Sequence, residues 1–274
     1  MKKKQIEDMK TVLTSQKQIN LSRKKLKQIP LSDQCKEIIL GSLLGDGSLQ
    51  IPKNDKNARF FIRHSQVEEE YFEWKASALE EISSDASIKY SEKSGYSENQ
   101  KLLFQSGALG ELTEIHSITH NGGHGLIIRR RWLNHLTPLS LAIWWLDDGS
   151  IISRGRKGVL CTDGFDEDSV KLLANYLEVV WNVYTHVGPI KRDRKDGNCS
   201  KKLYYRLWFG TEELKKFLRI ILPYVPVKSM LRKAMLLYKD AELQQRWISE
   251  MKLLNPNFSE EIDLILQSKQ KLRE

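Results

Sequence analysis

Glu37-Ile38-Ile39-Leu40-Gly41-Ser42-Leu43-Leu44-Gly45-Asp46-Gly47-Ser48-Leu49 and Ser140-Leu141-Ala142-Ile143-Trp144-Trp145-Leu146-Asp147-Asp148-Gly149-Ser150-Ile151 share one design. Each is an apolar run too dense for a surface helix, and each closes on Asp, Gly, Ser and one apolar residue. The pattern predicts a buried helix that stops at its glycine, where a left-handed conformation is cheap, and turns straight into a strand. Asp46 and Asp148 then stand at helix C-termini, where the dipole is already negative and a carboxylate costs about 0.3–1 kcal/mol. Two such acids in matching positions ask for a cation.

Working outward, the same order of elements follows both runs. After Gly47 the patterns predict strands over 48–51 and 59–65, an amphipathic helix carrying Val67, Tyr71, Trp74, Ala78 and Ile82, a hairpin of 87–93 with 101–106, and a helix over 107–115. After Gly149 they predict strands over 150–154 and 157–162, a helix over 166–181, a hairpin of 186–194 with 202–209, and a helix over 211–222. Asp148 follows Asp46 by 102 residues, so the chain is an internal duplication with a pseudo-two-fold axis. The fold class expected is α+β, in two pseudo-symmetric halves, each helix, hairpin, helix, hairpin, helix. The boundaries read as a basic N-terminal extension over 1–32, a first half over 33–119, a linker over 120–137, a second half over 138–240 and a charged C-terminal extension over 241–274. A helix is expected from Pro226 through Tyr238. In the linker, His120 and His124 read as parts of a polar loop.

In a pseudo-dimer the most buried helices meet at the axis. Gly41 and Gly45, one turn apart, leave a smooth face on which another backbone can approach closely. Parallel pairing brings the C-termini together, and Asp46 and Asp148 with them. Like charges so placed raise one pKa unless a divalent ion neutralises them. Hard oxygen donors suit Mg2+, with Mn2+ or Ca2+ as substitutes, and point to metal-assisted phosphodiester cleavage.

The 274 residues carry a net charge of +9, and their 40% hydrophobic content supports a real core. The charge favours an anionic partner, nucleic acid first. No apolar run approaches the roughly 20 residues of a membrane span. Met1 to Asp8 lead into no apolar signal core, and Glu7 and Asp8 argue against a transit peptide, so the expected setting is an organelle encoding its own copy or a prokaryotic cytoplasm. Cys35, Cys161 and Cys199 have no spacing for zinc or a disulfide framework. Basic residues cluster at Arg23, Lys24, Lys25 and Lys27, for a leader or a phosphate-touching arm, and again near the hairpins. Strand alternation sets Lys202, Tyr204, Arg206 and Trp208 on one face and Leu203, Tyr205, Leu207 and Phe209 on the other. Arg59 and Arg63 share a face, as do Ser48 and Gln50. With Arg129, Arg130, Arg154, Arg156, Lys191, Arg192 and Arg194, these are the candidate DNA contacts, because a β-ribbon fits the major groove.

Ile39 to Gly47 and Leu141 to Gly149 resemble the LAGLIDADG signature of homing endonucleases at its nine positions, the last acid and final glycine intact in both. Val225-Pro226-Val227-Lys228-Ser229-Met230-Leu231-Arg232-Lys233 resembles the C-terminal pattern of single-chain members, and the likeness covers about 33–238. The resemblance implies an αββαββα fold per half and a saddle of two sheets over a long double-stranded DNA target. It implies a monomer whose motif acids bind divalent metals and cut both strands, leaving short 3′ overhangs. It also implies metal contacts from the backbone carbonyls of Gly45 and Asp147, and a basic residue near each scissile phosphate. Lys233 matches that residue in the second half. In the first half Gly125 falls where a lysine is expected, with Arg129, Arg130 or His124 as substitutes. The expectation is an intron-encoded, site-specific double-strand endonuclease. The rivals on the same fold are a maturase acting on host intron RNA and a DNA-binding protein that does not cut.

Overall fold

The computed structural model describes residue 26 and residues 28–91, 100–121, 124–193 and 201–271, the side chains of Ser91, His124, Arg192, Asp193 and Lys201 aside. The basic cluster at 23–27, Arg194 and Cys199 lie outside the described residues. The first apolar run is helix α1 (Asp33–Leu44), opened by Ser32, whose hydroxyl accepts the Cys35 N–H at 3.1 Å. It leads into β1 (Gly47–Gln50), β2 (Arg59–Ser65), α2 (Glu69–Ala78), β3 (Ile88–Ser91), β4 (Lys101–Gln105) and α3 (Gly110–Thr119). The second run is α5 (Pro138–Asp148), with Thr137 as its N-cap and Pro138 in its first turn. It leads into β7 (Gly149–Ile152), β8 (Lys157–Leu160), α6 (Glu167–Trp181), β9 (His186–Asp193), β10 (Lys201–Phe209) and α7 (Thr211–Ile221).

Both sheets are antiparallel with the same strand order, β1-β2-β4-β3 and β7-β8-β10-β9. The register repeats as well. Gly47 pairs with Ile62 and Ile62 with Phe104, while Gly149 pairs with Leu160 and Leu160 with Leu207. His64 in β2 therefore corresponds to Thr162 just beyond β8. The two sheet-bearing halves meet along α1 and α5. A Cβ on Gly41 would stand 2.4 Å from the Ser140 carbonyl oxygen, and one on Gly45 would stand 2.5 Å from the Asp147 Cβ. Ser140 Oγ donates to the Glu37 carbonyl across this seam (2.9 Å). Leu141 through Leu146 are all fully buried, so α5 is the centre of a core that runs through both halves. Each large side chain there contributes about 1.5–3 kcal/mol.

The glycines that end the motif helices act by room and not by handedness. Gly45 has φ −117° and Gly149 φ −80°; among the described glycines only Gly155 is left-handed. A Cβ on Gly149 would lie 2.3 Å from the Trp145 ring, so that glycine lets the strand leave beside a tryptophan. Four other expectations change. Val67 is 72% exposed, and α2 instead buries Tyr71, Phe72, Lys75 and Ala76. The linker folds into a small hairpin, β5 (His120–Asn121) with β6 (His124–Leu126), and one turn of helix, α4 (Arg130–Leu133). Residues Lys228–Lys233 form a 3-10 turn, with no regular helix on to Tyr238, because the segment is held by side chains in place of an i→i−4 ladder. The C-terminal extension packs back as α8 (Ala241–Leu254) and α9 (Ser259–Lys271), and it supplies those side chains. Trp247 Nε1 donates to the Ala234 carbonyl (3.2 Å), Gln244 Nε2 to that of Leu236 (3.1 Å), and Lys269 Nζ to that of Arg232 (2.6 Å).

Among the described residues no helix is long and apolar enough to cross a membrane.

Candidate active site and nucleic-acid interface

Asp46 follows α1 and Asp148 ends α5, where each half turns into its first strand. Burial raises both carboxyl pKa values, and the neighbouring acids raise them further. Asp148 is pushed up to about 7, by desolvation first and then by the charges of Asp46 and Asp147, against a lowering pull from Lys233. The charge of Asp46 thus reaches Asp148 across the helix pair.

The residue before Asp148 has its own partners. The side chain of Asp147, at the seventh motif position, points into the seam and is fully buried. Lys75 Nζ donates to both its oxygens (2.7 and 2.9 Å), Tyr71 OH to Oδ1 (3.0 Å) and the Asp46 N–H to Oδ2 (3.3 Å). Lys75, itself without exposure, reaches from α2 of the first half into the second. The pair ties the halves together directly beneath the acids.

Lys233 lies against the C-terminal end of α5, where its Nζ donates to the Leu146 carbonyl and, at 3.1 Å, to that of Asp147. A cation there complements the helix dipole. The Asp147 carbonyl, expected to face a metal, therefore carries an ammonium hydrogen bond. Burial lowers the Lys233 pKa, and the charges of Glu68, Asp147 and Asp46 work against that lowering. Trp145 holds the segment in place by donating from Nε1 to the Lys233 carbonyl (2.9 Å). Gly45, the other expected carbonyl donor, gives its N–H to the Ser42 carbonyl.

The surroundings of the two acids differ. Beside Asp46 stands His64, its side chain fully buried, with Nδ1 3.6 Å from Asp46 Oδ2 and 3.4 Å from Glu68 Oε2. Glu68 turns its other oxygen to Arg232 (3.0 Å). Beside Asp148 a cleft of about 360 Å3 is lined by Gly45, Thr162, Asp163 and Arg206. There Arg206 grips Asp163 through Nε and Nη2 at 2.6 and 2.5 Å. Ligand atoms of Asp46, His64 and Asp147 lie within 4.8 Å of one another, with both Asp147 oxygens already engaged by Lys75.

The strand residues expected to meet DNA are partly where alternation puts them. Asp46, Ser48, Gln50, Arg63 and Gln105 line a cleft of about 550 Å3 over the first sheet. Lys191 and Lys202 are exposed on the second sheet, with Lys202 Nζ 4.8 Å from the Tyr204 ring centroid. Arg154 and Arg156 are exposed in the turn between β7 and β8, and Arg129 is exposed before α4. Arg192 is in β9, its side chain outside the described set. Others are engaged. Arg59 bonds Asp55 (2.6 Å) and the Ser106 carbonyl (3.3 Å), and Arg206 is nearly buried on Asp163. Arg130 lies 5.3 Å from the ring of Tyr176, a buried residue of α6, and so is engaged with the second half. Leu203, expected in the core, is 44% exposed because β10 outruns it. Gly125 borders a cleft of about 440 Å3 with Gly47, Ser48, His116 and His120, and burial pushes the His120 pKa down to about 4.

Sequence reasoning missed Lys75, Tyr71, His64, Glu68 and the Asp147 side chain. One signal was available, since Lys75 falls on the apolar side of its helix, four residues after Tyr71.

Comparison with known proteins gives three findings. The model of the LAGLIDADG DNA endonuclease family matches residues 36–217. Among curated relatives, a protein named Protein RecA from Mycobacterium gastri is 34% identical over 211 residues, 71% of this chain and 46% of the relative. The Cytochrome b mRNA maturase bI2 of Debaryomyces hansenii is 26% identical over 200 residues, 72% of each chain. The chain spans about half the length of the RecA-named relatives it matches. Among solved structures, the homing endonuclease I-WcaI bound to its DNA recognition sequence superposes with a TM-score of 0.63 at 20% identity, over 76% of this chain and 88% of that one. At that identity the likeness is one of fold.

Proposed function

Since the chain belongs to the LAGLIDADG DNA endonuclease family, we propose that it is a monomeric, intron-encoded, site-specific endonuclease that cuts both strands of a long DNA target and leaves short 3′ overhangs. The observation that carries the reading is the pair Asp46 and Asp148, two partly buried acids with raised pKa values at the ends of packed helices. Carboxylates so placed repel one another and any phosphate, which a protein that only binds DNA has no use for. They fit a divalent cation, Mg2+ by donor hardness, with Mn2+ or Ca2+ as substitutes. When bound, such an ion supplies an activated water and charge on the leaving oxygen. The chain's own residues do the rest. Asp46 and Asp148 hold the ions, Lys233 adds positive charge beside the second acid, and Arg63, Lys191 and Lys202 hold phosphates over the sheets.

We take residues 33–119 and 138–240 as the two catalytic halves. The maturase, whose likeness spans 72% of both chains, favours a second reading in which the same surface binds host intron RNA. Incubation with Mg2+ and the intron-less allele of the host gene decides between them. Cleavage by wild type, lost in both Asp46→Asn and Asp148→Asn with binding retained, is expected. Uncut DNA together with tight intron RNA binding would overturn the endonuclease reading.

A further inference from the structure

His64 is a buried polar group without a hydrogen-bond partner on either ring nitrogen. Native interiors rarely leave such groups unsatisfied, so a buried imidazole with both nitrogens open asks for a role. The ring is held edge-on by Tyr71 and Phe72, with centroids 5.3 and 6.2 Å away, so its direction is set by packing. Nδ1 lies 3.6 Å from Asp46 Oδ2, too long for a hydrogen bond, and 3.4 Å from Glu68 Oε2, whose carboxylate is also held by Arg232 at 3.0 Å. Two donors bound side by side to one ion at about 2.1 Å stand about 3.0 Å apart, so a small closure of this pair makes it bidentate. Asp147, also within reach, does not compete, because Lys75 and Tyr71 occupy both its oxygens. At the equivalent place in the second half, Thr162 Oγ1 is already spent on the Tyr205 carbonyl (2.6 Å).

We propose that His64 is a nitrogen ligand of the first half's divalent cation, making that position one carboxylate plus one imidazole while the second keeps oxygen donors alone. The inference rests on the metal-dependent reading above. It gives the two strands unequal metal preferences: the first position takes a first-row transition ion over Mg2+, which favours an all-oxygen shell.

The test is pulsed EPR of the full chain with one equivalent of Mn2+, reading 14N modulation from a coordinated imidazole. Wild type and Asp148→Asn should show it; His64→Gln and Asp46→Asn should lose it, and His64→Gln should bind Mn2+ about tenfold more weakly. The Asp46 side chain is 37% exposed where that of His64 is fully buried, so its variant keeps the test valid even where His64→Gln fails to fold. Bound Mn2+ without nitrogen coupling, coupling that survives either substitution, or no Mn2+ uptake by wild type would overturn the proposal. The readout involves no cleavage, so it stands or falls separately from DNA cutting.

Discussion

Asp147 stands against Gly45 so closely that a Cβ on the glycine would lie 2.5 Å from the Asp147 Cβ and 2.8 Å from Oδ2. The carboxylate enters the seam because Gly45 leaves room and Lys75 supplies charge. Removing one partner of a buried pair leaves an uncompensated charge, at about 3–5 kcal/mol. Lys75→Met should therefore lower the urea midpoint sharply. Lys75→Met with Asp147→Ala should regain most of the loss, since the apolar replacement buries no charge; a double variant as unstable as the single one would refute this account.

Gly41 carries the other close approach, since a Cβ there would lie 2.4 Å from the Ser140 carbonyl oxygen. The neighbour is backbone, which cannot swing aside. Gly41→Ala should cost about 1–3 kcal/mol by overpacking and pry α1 from α5. Both strand cleavages should fall together in a strand-resolved nicking assay, because the seam is common to both acids.

The raised pKa of Asp148 has a stability consequence. Its folded value of about 7 lies above the ordinary 3.8, so between these limits the folded state binds more protons than the unfolded one. Stability is then full below about pH 4 and falls as pH rises toward 7, by up to about 4 kcal/mol from this group. In metal-free buffer, Asp148→Asn should match wild type near pH 4 and exceed it increasingly up to pH 8. A difference independent of pH would show that the carboxyl is not destabilised by its site.

Gly125 borders the cleft it shares with Gly47 and Ser48, next in sequence to Asp46, and nothing lies within 4 Å of a Cβ built there. Gly125→Lys has room to supply the cation that Lys233 supplies in the second half. It should speed nicking of the first-half strand several-fold and leave the other strand unchanged. No change, or an equal change on both strands, would place the missing charge elsewhere.

Most of the fold was legible in the chain because it rests on local signals. Apolar density gave α1 and α5, alternation gave the strands, and the repeat gave the order. The acids and Lys233 were legible as motif positions. What stayed hidden depends on contacts between distant segments. Lys75 meets Asp147 only when the halves dock, and His64 reads as one more polar residue of an alternating strand. The charged stretch after residue 240 reads as a tail, yet Gln244, Trp247 and Lys269 brace the turn that carries Lys233. The supposed left-handed glycines failed for a related reason. Spacing reveals that a glycine is needed, while the neighbour it admits is known only after packing.

The asymmetric seam also bears on ancestry. Two copies of the first half would set Gly45 against Gly45 and leave a gap; two copies of the second would set one Asp147 carboxylate against the other, with no Lys75 between them. Neither arrangement keeps the Lys75–Asp147 pair that joins the halves here. Whatever symmetric dimer preceded the duplication, recombination that shuffles single halves out of this chain meets a barrier in the packing of one residue pair.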